Sequence, residues 1–329
     1  MATRQLYLNI LDHFPKKHLR MAFAYGSGAF QQKGDDDMSK NMLDFIFAVD
    51  DAEQWHKENI ARNGRHYSFL KYLGPKYIAN IQDNTGARVY FNTLVKCEGR
   101  LIKYGVISTQ SLMTDLLDWE TMYISGRLHK PVAVIHKESS DSLDIALKTN
   151  LQSAVNTALL MLNDTFTEEE LYCKIASLSY TGDFRMTLGE DKNKVINIVK
   201  PNIGRFRKLY EDILDSEQHI HWNRNERIFE QSLDAVSNWH HLNMLPKMLM
   251  FALVAHRNMD GRARDTEEVL RSISHDPECD DIVQECISGI VKQSSWSQST
   301  KSIFTAGLVK SCVYSLNKMK KMWKSIKFR

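Results

Sequence analysis

Apolar residues are arranged differently in the two halves of this chain. Before about residue 142 they form short, dense runs separated by polar turns and by segments with helical spacing, which is typical of buried strands alternating with helices. The pattern predicts strands at residues 21–25, 42–49, 88–96, 101–108 and 131–136. It predicts helices at residues 5–14, 52–63, 66–81 (with a break at Gly74-Pro75) and 111–123. The first half is therefore predicted to be an α/β domain with a mixed sheet.

Local signals mark the ends of several of these elements. Asp50 and Asp51 precede the helix at 52–63 and are expected to cap its N-terminus. Glu98-Gly99 is a turn signal that would join two strands as a hairpin. Thr167 followed by Glu170 is a capping-box pattern and predicts the start of a further helix.

The second half has a different character, because the strand signal disappears from about residue 142 onward. A long amphipathic helix is predicted at 143–162, and most of the chain that follows also has helical spacing. We therefore predict a first domain at 1–142, a mostly α-helical domain at 143–298 and a separate tail at 299–329.

The tail has a charge pattern of its own. From Lys301 to Arg329 it carries seven Lys, one Arg and no acidic residue, so it is +8, and because the whole chain is +3 the remainder is −5. Apolar residues, Trp323 among them, recur every three or four positions, and the opposite helical face holds Lys310, Lys318, Lys321 and Lys324. This pattern predicts an amphipathic helix on an anionic membrane surface. The alternative is a terminal helix packed on the body.

Composition excludes several classes of protein. No apolar run approaches the ~18 residues needed to span a bilayer, and the N-terminus lacks a secretory apolar segment, although it faintly resembles a short mitochondrial presequence. Five scattered cysteines without a CxxC pair argue against a zinc knuckle or a disulfide framework. Because basic charge is concentrated in the tail, no nucleic-acid partner is expected.

The main chemical signal is a glycine turn followed by a carboxylate inside an apolar strand. Tyr25 ends the first strand, and Gly26, Ser27 and Gly28 form a turn whose backbone and hydroxyl groups suit phosphate oxygens. Asp44 lies in the next strand, where a carboxylate is costly unless it is paired or holds a metal ion. This order is typical of nucleotidyltransferases, and we predict nucleotide binding at the turn and a catalytic, metal-binding Asp44. A structural turn and a hydrogen-bonded Asp44 are the alternative.

The second metal ligand is not evident. Nucleotidyltransferases usually alternate two acids on this strand, but the alternate positions here are Met42 and Ile46. Asp50 shares the strand face yet would lie roughly 20 Å away, which favours helix capping. The acidic triplet at 35–37 is on a loop within reach, although such a triplet is usually only solvated. Asp115 is a further candidate metal ligand.

Basic residues supply three further candidates. Lys103 lies on a predicted strand, where it either offsets triphosphate charge as a catalytic residue or points into solvent. Arg127 and Lys130 are candidates for binding the phosphate of an anionic lipid, with a solvated basic loop as the alternative. His56, His66 and His129 match no zinc spacing and are expected to be core or surface residues.

Several long and unusual strings extend over nearly the whole chain. They are AYGSG (24–28), MLDFIFAVDD (42–51), IKYGVIS (102–108), GRLHKP (126–131), LSYTGDFRM (178–186) and STKSIFTAG (299–307). They resemble the mitochondrial phosphatidate cytidylyltransferases, the mitochondrial type of CDP-diacylglycerol synthase, also called translocator assembly and maintenance proteins. The resemblance implies an N-terminal nucleotidyltransferase domain, a winged-helix-like domain and a C-terminal membrane-binding region.

The resemblance also implies a reaction and a location. CTP and phosphatidic acid would give CDP-diacylglycerol and diphosphate with Mg²⁺ as cofactor, peripherally on the matrix face of the inner mitochondrial membrane, for cardiolipin synthesis. Two other readings stay open at this point. One is a non-catalytic protein of the same fold that assists the assembly of membrane translocases, and the other is an enzyme with a different acceptor, such as a nucleic-acid end or an aminoglycoside.

Overall fold

A mixed sheet forms the centre of the first half. The computed structural model describes residues 4–32, 41–188 and 193–306. The strands of the first half, within these ranges, are β1 (Leu19–Tyr25), β2 (Leu43–Val49), β3 (Tyr90–Cys97), β4 (Arg100–Ser108) and β5 (Ala133–Lys137). Their order is β3-β4-β2-β1-β5, with β2 parallel to β4 and the other neighbours antiparallel. The mixed α/β character predicted for this half is thereby confirmed.

The central strand β2 is covered on both faces, which explains its continuous apolar run. Phe45 and Phe47 pack into the core on one side of the sheet, while Ile46 and Ala48 pack into the core on the other side. All four side chains are almost completely buried. Asp44, near the start of the same strand, is only partly buried.

Helices cover both faces of this sheet. Those that begin before residue 142 are α1 (Arg4–Asp12), α2 (Ala52–Asn63), α3 (Pro75–Asn84), α4 (Thr109–Asp118), α5 (Ser125–Leu128) and α6 (Asp141–Leu159). Trp55 of α2 packs against the face that holds Phe47, and Leu112 of α4 packs against the face that holds Ile46. The predicted cap of α2 is confirmed, because the Asp51 carboxylate accepts a hydrogen bond from the Gln54 amide at 3.0 Å.

The break predicted at Gly74-Pro75 is confirmed. The segment divides there into a short 3-10 turn, Phe69–Leu73, and α3, because Gly74 between them has a φ of 93°. The helix predicted to reach residue 123 ends at Asp118, since Trp119 takes up the left-handed conformation with a φ of 56°. The hairpin turn is confirmed, with positive φ at both Glu98 and Gly99 as a type I′ turn requires.

The second half is mainly helical, as predicted. Its helices, within the described residues, are α7 (Glu168–Ser177), α8 (Phe184–Leu188), α9 (Lys194–Val199), α10 (Ile203–Ser216), α11 (Ala235–Asn243), α12 (Lys247–Arg257), α13 (Thr266–Ser274) and α14 (Cys279–Ala306). The capping box of α7 is present at Thr167 and Glu170. The second half also contains a small antiparallel sheet that was not predicted from the sequence. Its strands, in the order β6-β8-β7, are β6 (Thr165–Thr167), β7 (Ile220–Asn223) and β8 (Ile228–Gln231). The winged-helix-like arrangement stays a prediction.

Helix α6 belongs to both halves. Near its start, Leu143 and Ala146 pack into the core of the first half. Further along, Ala154 and Ala158 pack into the core of the second half. The predicted boundary at 142/143 therefore falls inside a helix that the two cores share.

Helix α14 returns to the first half and docks at the edge strand β3. The Gln298 side chain accepts a hydrogen bond from the Ala87 amide at 2.9 Å and donates one to the Val89 carbonyl at 3.2 Å. The Lys301 ammonium is buried and donates to the carbonyls of Gln82 and Thr85 at 3.0 and 2.8 Å. The predicted boundary at 298/299 thus lies within a continuous helix, and Lys301, counted as part of the basic tail, is a structural residue.

The remainder of the tail is not described by the structure. The predicted membrane-binding residues lie outside the described residues: Lys310, Lys318, Lys321, Trp323 and Lys324. Among the helices of the described ranges, none has the length and hydropathy needed to cross a membrane.

Candidate active site

The glycine turn lies against the start of β2. Gly26 has a φ of 77°. A Cβ built on Gly26 would be 3.4 Å from Asp44 Oδ2, so the backbone of the turn lies close to this carboxylate. Gly28 packs still more closely, since a Cβ there would be 2.3 Å from the Met42 carbonyl oxygen. Glycine is therefore required at both positions for different reasons. The structure brings the turn and Asp44 together, as the sequence predicts.

Asp44 has a basic neighbour on the adjoining strand. It is paired in register with Lys103 of β4 on one side and with Tyr25 of β1 on the other. Residues opposite each other in a sheet point to the same face, at Cβ separations of about 5 Å. The Lys103 ammonium lies 4.2 Å from the centre of the Phe91 ring and is half-buried. Lys103 is thus part of the same site and does not point into open solvent.

Arg127 lies between two tyrosine rings on the same side of the sheet. Its guanidinium carbon is 3.9 Å from the centre of the Tyr123 ring and 5.2 Å from that of Tyr25, and its Nη1 donates to the Tyr123 carbonyl. The Nε atom is buried, and none of the described residues forms a hydrogen bond with it. Because a buried donor without an acceptor costs about 1–3 kcal/mol, an incoming phosphate oxygen would relieve this cost.

Lys130 is held one turn further along. Its ammonium donates to the Gly126 carbonyl and, at 2.8 Å, to Ser179 Oγ of the second half. Burial, together with the positive charges of Arg127 and Lys194, lowers the pKa of Lys130 to about 7. An anion bound at this point would raise that pKa again and keep the ammonium charged.

The second half adds two further basic groups to the site. Arg185 is clamped by the almost fully buried Asp183, whose two carboxylate oxygens accept from Arg185 Nε at 2.9 and 3.0 Å. The Lys194 ammonium lies 4.8 Å from the centre of the Tyr180 ring, and that of Lys130 lies 5.0 Å from the same ring. Arg185 and Lys194 were not predicted as site residues, because only the tertiary fold brings them near the glycine turn.

The positive charge of these basic groups changes the pKa of Tyr123. Burial by itself raises the pKa of a tyrosine, but the positive charges of Arg127, Arg185 and Lys103 outweigh burial and lower the pKa of Tyr123 to about 8. We call this set the cationic cluster; it consists of Lys103, Arg127, Lys130, Arg185 and Lys194. A group of this many positive charges beside the carboxylate of Asp44 is suited to several phosphate groups at once.

Comparison with known proteins assigns the family. A sequence model described as phosphatidate cytidylyltransferase, mitochondrial, matches residues 7–321. The Xenopus laevis protein of that name is 50% identical over 324 residues, which cover 98% of this chain and 95% of that protein. The Mus musculus protein of that name is 49% identical over 316 residues, covering 96% and 94%. The Caenorhabditis briggsae protein is 42% identical over 320 residues, covering 97% and 99%.

This chain belongs to the mitochondrial phosphatidate cytidylyltransferase family. The resemblance seen in the sequence strings is thereby confirmed, and so is the assignment of the chain to the nucleotidyltransferase class of enzymes.

Asp115 accepts hydrogen bonds from the loop that follows α4. One oxygen of its buried carboxylate accepts from the amide and hydroxyl of Thr121 at 2.8 and 2.7 Å. The other accepts from the amides of Ile124 and Ser125 at 3.0 and 2.8 Å. With four donors satisfied, this carboxylate fixes the loop that leads to Arg127. A metal-binding role for Asp115 stays a prediction.

The remaining candidates fall outside the site. Asp50 pairs with Arg20 at the far end of β2. His56 and His129 are buried, bonded to Gln82 at 2.9 Å and to Asn150 at 3.0 Å, as expected for core histidines. The acidic triplet at 35–37 lies outside the described residues.

A divalent ion at this site would depend on Asp44. In the described part of the chain, no group of three close His, Cys, Asp or Glu ligands includes it. Mg²⁺ is commonly held by one or two carboxylates together with substrate phosphates and water. A strand carboxylate beside a glycine turn therefore fits an ion that arrives with a nucleotide.

Gly126 of the first half lies in close contact with Ser179 of the second half. A Cβ built on it would be 2.4 Å from the Ser179 Cβ. Gly126→Ala is therefore expected to lower the free energy of unfolding by about 1–3 kcal/mol, measured by chemical denaturation. Gly204→Ala is the control, because Gly204 lies on α10 with open space around it; there the same methyl group should raise stability by up to about 1 kcal/mol. Equal effects of the two changes would contradict the close contact.

Proposed function

We propose that this protein transfers a cytidylyl group from CTP to phosphatidic acid, giving CDP-diacylglycerol and diphosphate. A phosphate oxygen of the lipid forms a new bond to the α-phosphorus of CTP, while the bond from that phosphorus to the bridging β-oxygen breaks and diphosphate leaves with the electron pair. The relatives are named phosphatidate cytidylyltransferases, which supports this substrate pair.

The observation that carries the proposal is the cationic cluster around Asp44. The reaction brings together a nucleoside triphosphate and a lipid phosphate, so the charge to be offset is much larger than for a single phosphate. The cluster draws Lys103, Arg127 and Lys130 from the first half and Arg185 and Lys194 from the second. Positive groups placed where negative charge develops in the transition state contribute directly to catalysis.

We assign the basic groups of the cluster to the two substrates by their positions. The turn at Gly26, Ser27 and Gly28 would hold triphosphate oxygens, and Lys103 lies next to Asp44, where the α-phosphorus would be placed. Arg127 and Lys130 would bind the lipid phosphate, since Arg127 has an unsatisfied buried donor and Lys130 lies beside Ser179. Asp183 orients Arg185 from the opposite side of the site.

The chemistry requires no general base. The second pKa of a phosphate monoester is about 6, so the attacking group of phosphatidic acid is already largely dianionic at neutral pH. The site accordingly needs to orient two anions and to offset the electrostatic repulsion between them. Fixed positive side chains do both. A Mg²⁺ ion bound at Asp44 would supply additional charge neutralisation on the triphosphate.

An exposed apolar surface lies beside the cationic cluster. On α14, Trp296, Ile303 and Phe304 share one helical face and are about half exposed. The Phe184 ring stacks on Trp296 with the ring centres 4.2 Å apart, and Phe184 immediately precedes Arg185 of the cationic cluster. This stripe leads directly into the basic tail, so a lipid in an anionic bilayer would have its phosphate near the cluster.

We further propose a peripheral position on the matrix side of the inner mitochondrial membrane, on the route to cardiolipin. The names of the relatives support the mitochondrial part of this proposal. The stripe on α14 and the segment after residue 306, which carries six Lys, one Arg and no acidic residue, support surface attachment to an anionic leaflet.

The reaction is tested with purified protein, CTP labelled on the α-phosphate, vesicles containing phosphatidic acid, and Mg²⁺. We expect labelled CDP-lipid and diphosphate in equal amounts, with loss of product when the ion is chelated. Parallel reactions with an oligonucleotide end or an aminoglycoside as acceptor test a different acceptor. If no CDP-lipid forms while another acceptor is labelled, or if no acceptor is labelled, the proposed reaction is wrong.

Removing the tail is expected to release the protein from vesicles. The truncation belongs after residue 306, because Lys301 is bonded into the fold. We expect the truncated protein to co-sediment at least tenfold less with vesicles rich in anionic lipid, and the full chain to lose binding as salt is raised. Vesicles of neutral lipid are the control. Sedimentation that does not depend on the tail would contradict its role in membrane binding.

A further inference from the structure

A second group of potential ligands lies in the helical half, away from the cationic cluster. Glu217 directly follows α10, and His240 and His241 are in the last turn of α11. One ligand atom from each of the three lies within 4.8 Å of the other two. We call these residues the His-Glu cluster. The proposed cytidylyl transfer makes no use of it.

The hydrogen bonds around His241 fix which of its ring nitrogens carries the proton. The Asn156 amide nitrogen donates to the Gln152 carbonyl at 3.0 Å, so the other atom of that amide, Oδ1, faces His241 Nδ1 at 2.8 Å. A carbonyl oxygen can only accept, and Nδ1 must therefore donate. In the neutral ring, Nε2 is then left with a lone pair.

That lone pair is buried and unsatisfied. His241 is 2% exposed, and among the described residues its Nε2 has no hydrogen-bond partner. A buried acceptor that is oriented by an amide oxygen on the other side of the ring and has no donor of its own has the arrangement found in histidines that bind metal ions.

The other members of the cluster are also electron-rich. The Glu217 side chain is only 4% exposed, and its Oε1 accepts from the His219 amide at 3.2 Å. His240 Nε2 is 3.8 Å from the same oxygen, too far for a hydrogen bond. The His240 ring stacks on the His219 ring with the centres 4.1 Å apart, which holds it beside the carboxylate. A carboxylate and a lone pair that converge in this way are stabilised by a cation between them.

We propose that Glu217, His240 and His241 bind a divalent transition-metal ion, for which Zn²⁺ is the best match. Two imidazole nitrogens and one carboxylate suit Zn²⁺, whereas Mg²⁺ prefers oxygen ligands only. At metal–ligand distances of about 2.0–2.2 Å, ligand atoms of a tetrahedral site lie roughly 3.4 Å apart. The half-exposed His240 can close the remaining distance by rotation, and water would complete the coordination.

The ion would have a structural effect. Glu217 lies in the connection from α10 to β7, while both histidines are on α11. Metal binding would therefore join the connection between α10 and β7 to helix α11, which comes later in the chain. It would stabilise the folded state in proportion to the affinity for the ion.

The test uses the full, tag-free chain after chelation and buffer exchange. Titration calorimetry and a thermal scan are carried out with Zn²⁺ and, separately, with Mg²⁺. We expect one Zn²⁺ per chain with a Kd in the micromolar range or tighter, and a rise in Tm of about 5 °C at a hundredfold excess over Kd. Mg²⁺ should give no shift through this site. Absorption of the Co²⁺ form provides an independent readout of imidazole coordination.

Three variants decide whether the binding occurs at the His-Glu cluster. His240→Ala and the isosteric Glu217→Gln should each weaken Zn²⁺ binding at least tenfold, while His221→Ala, which removes an exposed histidine of β7, should not. All three should retain CDP-lipid synthesis, so a failure here is separate from a failure of the proposed reaction. The proposal is overturned if the wild type binds no Zn²⁺, or if all the variants bind it as the wild type does.

Discussion

Replacing Asp44 with Asn is expected to lower kcat/KM for CDP-lipid formation by at least about a thousandfold, equivalent to roughly 4 kcal/mol of transition-state stabilisation. The amide has nearly the same shape as the carboxylate but no negative charge. Asp44 lies beside both the glycine turn and Lys103, so the change removes the charge that would hold a divalent ion against the triphosphate. The assay is initial velocity with labelled CTP and phosphatidic acid vesicles.

Asp50→Asn is the matched control for this change. Asp50 follows the opposite end of β2 and is paired with Arg20 at the surface. Since an exposed ion pair contributes at most about 1 kcal/mol, this variant should keep its turnover and lose little stability. Chemical denaturation should show that both variants are folded. Near-normal activity of Asp44→Asn would remove Asp44 from the catalytic site.

Replacing Lys103 with Met is expected to lower kcat/KM by about a hundredfold to a thousandfold. The methionine keeps most of the apolar contact with Phe91 but removes the ammonium next to Asp44. Loss of one positive group aimed at developing negative charge typically has an effect of this size. Because that charge develops in the transition state, we expect the decrease mainly in kcat, with a smaller change in KM for CTP.

Lys96→Met separates this effect from a general loss of positive charge. Lys96 is exposed on the adjoining strand β3, so it carries the same charge at a place that faces solvent. Its replacement should change kcat/KM by less than about twofold. Equal losses for the two variants would show that Lys103 acts through net charge and has no specific position at the reacting phosphorus.

The sequence located one side of the site but not the other. The glycine turn and Asp44 were found because they lie on consecutive strands, and a buried carboxylate in an apolar run is a local anomaly. The adjacency of Lys103 depends on the parallel pairing of β2 with β4, which no local pattern specifies. Arg185 and Lys194 reach the site only through packing of the second half. The four hydrogen bonds that Asp115 accepts were not predicted, because they are visible only in the folded loop.

The fold was predictable to a similar extent. Strands in continuous apolar runs were placed within a few residues, and the caps at Asp51 and Thr167 marked helix starts correctly. The helix after β4 was extended too far, since a bulky Trp119 in the left-handed conformation is uncommon and has no sequence signal. Strands β6, β7 and β8 were missed because three or four residues are too few to show an alternating period.

The docking of α14 on β3 has a consequence for the order in which the molecule folds. Gln298 bonds to Ala87 across 211 residues of chain, and Lys301 bonds to Gln82 across 219. Contacts so distant in sequence form late, because a large loop must close before they contribute any stability. During synthesis the edge of the first sheet stays incomplete until α14 has emerged. A ribosome-bound chain that already contains Asp44 and the glycine turn therefore still lacks the contacts that complete its first half.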